Sequence, residues 1–185
     1  MNNEFLSKIS QLQTDFYSKN GKNVIFKKQQ KLDCASAVSQ QLSIDDLLNQ
    51  TVYIIPNTNK VYFNYTIFKL YANPNNYEQV VIKIMKSFQL CIQTYGSYEA
   101  HINLDSFTIS SCERYKQVIE LYYRYCMASE TTFALKIDQM FIYYCPSAID
   151  TITRMLHSFI EPNVRNRMTL YDKKMSGDLI TALHK

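Results

Sequence analysis

The stretch Phe133-Ala134-Leu135-Lys136-Ile137-Asp138-Gln139-Met140-Phe141-Ile142-Tyr143-Tyr144-Cys145-Pro146 decides the fold. From Ile137 to Tyr144 it is rich in β-branched and aromatic residues, the composition of a strand. Cys145-Pro146 ends that strand, because proline has no N–H to give a ladder. A helix is expected at once, since proline is favoured in a first helical turn and Ser147 with Asp150 supports a start there. Ile149, Ile152, Leu156, Phe159 and Ile160 then recur at three-four spacing as one apolar stripe, which Glu161-Pro162 closes.

The same alternation extends in both directions. Downstream, Met168-Thr169-Leu170-Tyr171 reads as a short strand and Asp178 to His184 as a last helix. Upstream, Thr51-Val52-Tyr53-Ile54-Ile55 is a strand closed by Pro56-Asn57, and a second strand begins at Lys60 or Val61. Asn75 with Glu78 forms a capping-box pattern ahead of Tyr77, Val80, Val81, Ile84, Met85, Phe88, Cys91 and Ile92, a helix with one broad buried face. After Gly96 come a strand at about Ala100 to Leu104 and a helix opened by Ser110 and Glu113, with Tyr115, Val118, Ile119, Tyr122 and Cys126 as its stripe. Strands alternating with helices of this length predict an α/β fold: a single mixed or parallel sheet flanked by crossover helices.

The predicted organisation is an N-terminal helical segment, residues 1–50, beside an α/β domain, residues 51–185. In the first, Phe5, Leu6, Ile9, Leu12 and Phe16 fall at helical spacing. That face is expected to pack on the main domain; a membrane-surface helix would need more basic flanks. Asn20-Gly21 reads as a turn, Lys27-Lys28 with Lys31 as a solvated face, and Ser43-Ile44-Asp45-Asp46 as the start of a short helix.

Composition excludes several classes. A hydrophobic fraction of 46% with 19% charged residues is that of a globular chain, and a net charge of +4 is mild. Val61-Tyr62-Phe63-Asn64-Tyr65 lacks the glycines and cations of RNA-stacking strands, so no nucleic-acid partner is expected. Cys34, Cys91, Cys112, Cys126 and Cys145 form no CxxC or CxxH pair, which favours reduced thiols, and with no apolar leader the expected setting is cytoplasmic. His101, His157 and His184 have no partner at metal-ligand spacing, three glycines cannot build a phosphate loop, and no GxSxG elbow occurs. Neither a catalytic set, a metal site nor a cofactor is expected.

The opening stretch resembles the signature of the CRAL-TRIO lipid-binding domains: Tyr-Pro-Glu-Arg-Leu, a spacer, an apolar strand and Asn-Ala-Pro. Without a gap, Phe133 takes the Tyr position, Lys136 the Arg, Ile137 the Leu and Pro146 the Pro. Phe159-Ile160-Glu161-Pro162, Arg165 and Arg167-Met168 are similar to the family's Phe-Leu-Asp-Pro and Thr-Arg-x-Lys-Ile. His101-Ile102-Asn103-Leu104-Asp105-Ser106-Phe107-Thr108 is similar to its Val-Val-Asp-Leu-x-Gly-Leu-Ser, and Asn59-Lys60-Val61 to its Gly-Arg-Pro-Val. Ala134 and Leu135 replace the Pro-Glu whose Glu helps hold an inositol headgroup; Tyr144 replaces an Asn, Asn103 an Asp and Ser106 a Gly.

The resemblance implies a non-enzymatic domain that holds a lipid or other hydrophobic small molecule in a cavity gated by the helix over Ile152 to Phe159. It implies Phe141, Tyr143, Ile149, Ile152, Met155, Leu156 and Phe159 as wall and gate residues, Arg167 as a contact to lipid phosphate, and peripheral contact with membranes. The competing reading is an interaction or structural protein, with a protein partner, whose cavity is filled by bulky strand side chains. A third is an enzyme whose site is assembled from scattered residues.

Overall fold

Five strands form one sheet in a computed structural model of the chain, which describes residues 3–185: β1 (Val52–Ile54), β2 (Lys60–Asn64), β3 (Tyr98–Asn103), β4 (Ile137–Tyr143) and β5 (Met168–Leu170). Their spatial order is β1-β2-β3-β4-β5. β1 and β2 are an antiparallel hairpin, and every later neighbour pairs in parallel. Parallel neighbours need a crossover, which the helices supply.

Before the sheet lie α1 (Asn3–Asn20), α2 (Lys27–Gln41) and α3 (Ile44–Thr51). The crossover from β2 to β3 is α4 (Tyr65–Tyr71) and α5 (Tyr77–Tyr95); that from β3 to β4 is α6 (Ile109–Arg114), α7 (Lys116–Ala128) and α8 (Phe133–Lys136). Between β4 and β5 come α9 (Ile149–Leu156), a 3-10 turn over His157–Phe159 and α10 (Pro162–Arg165); α11 (Lys173–Leu183) follows β5. This is the expected α/β architecture with a single mixed sheet.

Several boundaries differ from expectation for identifiable reasons. Ser43 caps α3 as its sequence predicts, accepting from the Asp46 N–H at 3.3 Å. The Asn75–Glu78 box does not form: α5 starts at Tyr77, and the side chain of Asn76 turns back to the Asn73 N–H at 3.0 Å and the Tyr71 carbonyl at 3.0 Å. Thr108 rather than Ser110 caps α6, accepting from the Ser111 N–H at 3.2 Å. Asp172 caps α11 through the N–H groups of Lys174 (2.9 Å) and Met175 (3.0 Å), so that helix starts ahead of Asp178. Pro146 precedes α9 instead of opening it, its carbonyl accepting from the Ile149 N–H at 3.0 Å.

The core has two clusters. Ile9 of α1 is buried with Val38, Leu47, Phe68 and Tyr71, so α1 and α2 pack against α3 and α4. Tyr71 meets no water, yet its hydroxyl donates to Thr51 Oγ1 at 3.0 Å, and that hydroxyl donates to the Leu47 carbonyl at 2.8 Å. The second cluster joins Val52, Val61, Phe88, Tyr98, Phe133 and Ile137 around the sheet.

Two departures from the family pattern coincide with unusual backbone. Ser106 has φ 63° and Tyr144 has φ 52°, in the left-handed region where a Cβ is unfavourable. Glycine and asparagine, the pattern's residues at these two positions, are the ones that tolerate it.

Candidate ligand-binding site

Alternation along the strands gives the sheet one wholly apolar face. Val61 and Phe63 of β2, Ala100 and Ile102 of β3, Met140 and Ile142 of β4, and Met168 of β5 all point to it. In register, Phe63, Ile102 and Ile142 form a row across its centre. Ile137 and Met140 stand three apart and would normally face opposite ways. A bulge resolves this: Tyr98 pairs with Ile137 but Glu99 with Gln139, leaving Asp138 as the extra residue. The Asp138 carboxylate accepts from Ser97 Oγ at 2.5 Å and Asn59 Nδ2 at 3.1 Å, which pins the bulge.

Helices roof this face without touching it everywhere. Between floor and roof lies a cavity of about 750 Å³, within the roughly 300–1,000 Å³ of ordinary ligand sites. Ile84 and Phe88 of α5, Val118, Ile119 and Tyr122 of α7, and Ile149, Ile152 and Leu156 of α9 form its walls, with Phe159 of the 3-10 turn. Phe159 also packs edge-on to Tyr123 at 5.8 Å. The polar side chains in the cavity lining are the Tyr hydroxyls, the Cys126 thiol, and Ser129, Thr131, Thr132, Thr153 and Glu161.

At one end, Tyr98 donates to the Phe133 carbonyl at 3.3 Å. Burial pushes the Tyr122 hydroxyl well above its ordinary value, and Tyr98, Cys126 and Glu161 add to that. At the other end Tyr115 donates to the Lys69 carbonyl at 3.3 Å and burial pushes it up to about 12. Tyr98 and Tyr115 give their single O–H to these carbonyls, so toward the cavity they can only accept, and the walls are otherwise largely apolar. That surface suits a hydrophobic molecule with a polar end.

Four of the expected wall residues, Ile149, Ile152, Leu156 and Phe159, line the cavity. Phe141 and Tyr143 do not, and the expectation for them is corrected. Met140 and Ile142 take the cavity face, so strand alternation turns their neighbours to the opposite one. There Phe141 stacks on His101 (4.8 Å) and Tyr171 (6.2 Å), and Tyr143 stacks on Tyr171 (5.5 Å). Met155 is half-buried outside the lining. Arg167 stands outside the lining: its guanidinium donates to the Ile137 carbonyl and its own carbonyl accepts from the Met140 N–H at 2.9 Å. It fastens β5 to β4 and does not line the cavity. The floor residues were missed; of them only Ala100 and Ile102, alternating with Glu99, His101 and Asn103, carry a period-two signal that marks them.

On the opposite face His101 is buried between two partners. Its Nε2 lies 3.1 Å from Glu99 Oε2 and its Nδ1 2.8 Å from the Tyr143 hydroxyl. A carboxylate only accepts, so the neutral ring carries its proton on Nε2 and Nδ1 accepts from Tyr143. Burial lowers the pKa of His101, against the opposing pull of Glu99. Among the described residues, no group of three or more His, Cys, Asp or Glu side chains could hold a metal ion, and no helix is long and apolar enough to cross a membrane.

A family model described as the CRAL/TRIO domain matches residues 19–184. No curated protein matches the chain.

Proposed function

The chain belongs to the CRAL/TRIO domain family, whose members bind lipids and other hydrophobic ligands, and from that premise we propose that it holds one lipid-type molecule in the cavity between the sheet and α5, α7 and α9. The observation that carries this reading is the open, apolar volume of about 750 Å³ over the row Phe63, Ile102 and Ile142. An acyl or isoprenoid chain laid along that row gains about 0.8 kcal/mol per buried methylene, against the cost of immobilising it. The hydroxyls of Ser129, Thr131 and Thr132 and the Glu161 carboxylate, the polar part of the lining, receive its polar end.

In this reading α9 and the 3-10 turn are the gate. They carry Ile152, Leu156 and Phe159 on the cavity side, and movement of this one segment uncovers the chain's path. The module works by binding, for transfer or sensing, and performs no chemistry. Its setting is cytosolic, where the free thiols of Cys34, Cys91, Cys112, Cys126 and Cys145 stay reduced.

The competing reading, a scaffold with a filled cavity, needed the bulky strand side chains to point inward. Phe141 and Tyr143 point the other way, which favours the ligand-binding reading. The test is to incubate the protein with mixed-lipid vesicles, recover it by gel filtration and extract it. About one lipid per chain is expected. Recovery of lipid-free protein from every vesicle composition would leave the scaffold reading ahead.

A further inference from the structure

Val24, Ile25 and Phe26 connect α1 to α2 and are 75%, 83% and 66% exposed. Three consecutive apolar side chains in water are unfavourable, so what keeps them there matters. The loop is braced from within. Gly21, at φ 63°, starts the turn. Asn23 Oδ1 accepts from the Ile25 N–H at 2.9 Å and the Phe26 N–H at 2.8 Å. Gln30 closes the loop from α2, accepting from the Asn23 N–H at 2.8 Å and donating to the Gly21 carbonyl at 2.7 Å. These bonds satisfy the loop's backbone internally and hold the three side chains outward.

The surroundings of this tip are cationic. From Lys19 to Lys31 the chain carries five lysines and no carboxylate. Lys27 and Lys31 are one turn apart on α2, on the same face. Lys31 is close enough to Arg114, Lys27 and Lys69 that their repulsion adds to burial in lowering its pKa. Lys69 donates to Ser106 Oγ at 2.6 Å, and the Arg114 guanidinium lies over the Tyr115 ring at 5.5 Å with its Nε buried and unpartnered. Among the described residues none of these cations is in an ion pair.

We propose that the α1–α2 loop is a membrane-docking tip, with Val24, Ile25 and Phe26 entering the headgroup–acyl boundary of an anionic lipid surface and Lys22, Lys27, Lys28 and Lys31 meeting its phosphates. An apolar tip alone would fit any partner that buries it. A run of five lysines with no carboxylate among them selects a surface of dense negative charge, which an anionic bilayer is. Docking by this loop is separate from occupancy of the cavity, so the two stand or fall by different measurements.

The chain has no tryptophan, so Phe26→Trp installs a single reporter at the tip. With vesicles containing phosphatidylserine its emission should shift to the blue and be quenched by brominated acyl chains. With phosphatidylcholine vesicles alone it should move little. Ile25→Asp should abolish sedimentation with anionic vesicles. Reversing Lys27, Lys28 and Lys31 to Glu should weaken it on the order of a hundredfold or more, at about fivefold per lysine. All these positions are exposed, so an unchanged melting curve verifies the fold of each variant. Emission that ignores anionic vesicles, or that shifts equally on neutral ones, overturns the proposal. So does a concentration-dependent dimer that Ile25→Asp dissolves while vesicles have no effect, since the tip would then be a self-contact.

Discussion

Replacing Ile102 with Trp places an indole in the middle of the cavity floor. Ile102 sits on β3, the central strand, with Phe63 beside it on β2 and Ile142 on β4. In a close-packed core such an enlargement costs about 1–3 kcal/mol. Here the added rings enter open volume, so the melting temperature of the unliganded protein should scarcely change. A chain lying over the row, however, loses contact along the length of the indole, on the order of four methylenes. At about 0.8 kcal/mol each that is roughly 3 kcal/mol, or on the order of a hundredfold in affinity. Titration of a dansyl-labelled fatty acid, followed by its fluorescence, reads this directly. Met155→Trp, outside the lining, is the control and should bind as the unmodified chain does. Equal affinity of Ile102→Trp and the control would show that the probe does not lie on the floor. A large drop in melting temperature for Ile102→Trp alone would show that the space above it is not open.

Ser106→Gly should raise stability by about 1 kcal/mol, because it relieves a left-handed serine at the loss of two exposed hydroxyl bonds, to Lys69 and to the Asp105 carbonyl; a lower urea midpoint would contradict the strain argument. Arg167→Ala should destabilise by about 1.5–3 kcal/mol, the worth of a charged bond to the Ile137 carbonyl, while leaving vesicle binding intact. Weaker vesicle binding at unchanged stability would instead restore Arg167 as a phosphate contact. His101 has its pKa lowered by burial from about 6.5, so the unfolded chain takes up the proton first on acidification. Its contribution is fully present above about 6.5 and is lost as pH falls towards the lower folded value. Denaturant midpoints should therefore drop through that window, and more steeply than in His101→Gln; parallel curves would rule His101 out as the source.

How much of this was legible in the sequence varies by element. The strand–helix alternation from Thr51 to Tyr171 was, because β1, β2 and β4 are rich in β-branched or aromatic residues and the long helices α5 and α7 each have a single stripe. α4 was not: Tyr65-Thr66-Ile67-Phe68 continues β2 in composition, and only the Asn64 side chain, accepting from the Thr66 N–H at 3.0 Å, turns the chain into a helix. α2 was missed because its face is narrow, with Cys34, Ala35 and Val38 as its buried residues. In the site, α9 was legible and the floor was not. β4 is apolar on both faces, so alternation alone does not say whether Met140 and Ile142 or Phe141 and Tyr143 front the cavity. The aromatic layer of His101 and Tyr171 on the other face decides it, and that pairing is tertiary. The bulge at Asp138 likewise depends on Ser97 and Asn59, distant in sequence.

The central claim is that the cavity over Phe63, Ile102 and Ile142 takes a hydrophobic molecule. Native mass spectrometry of the intact chain after exposure to mixed-lipid vesicles tests it most directly. The account predicts a one-to-one adduct of lipid mass that is strongly reduced in Ile102→Trp and unaffected in Met155→Trp. Only the bare chain mass, across all lipid compositions offered, would contradict it.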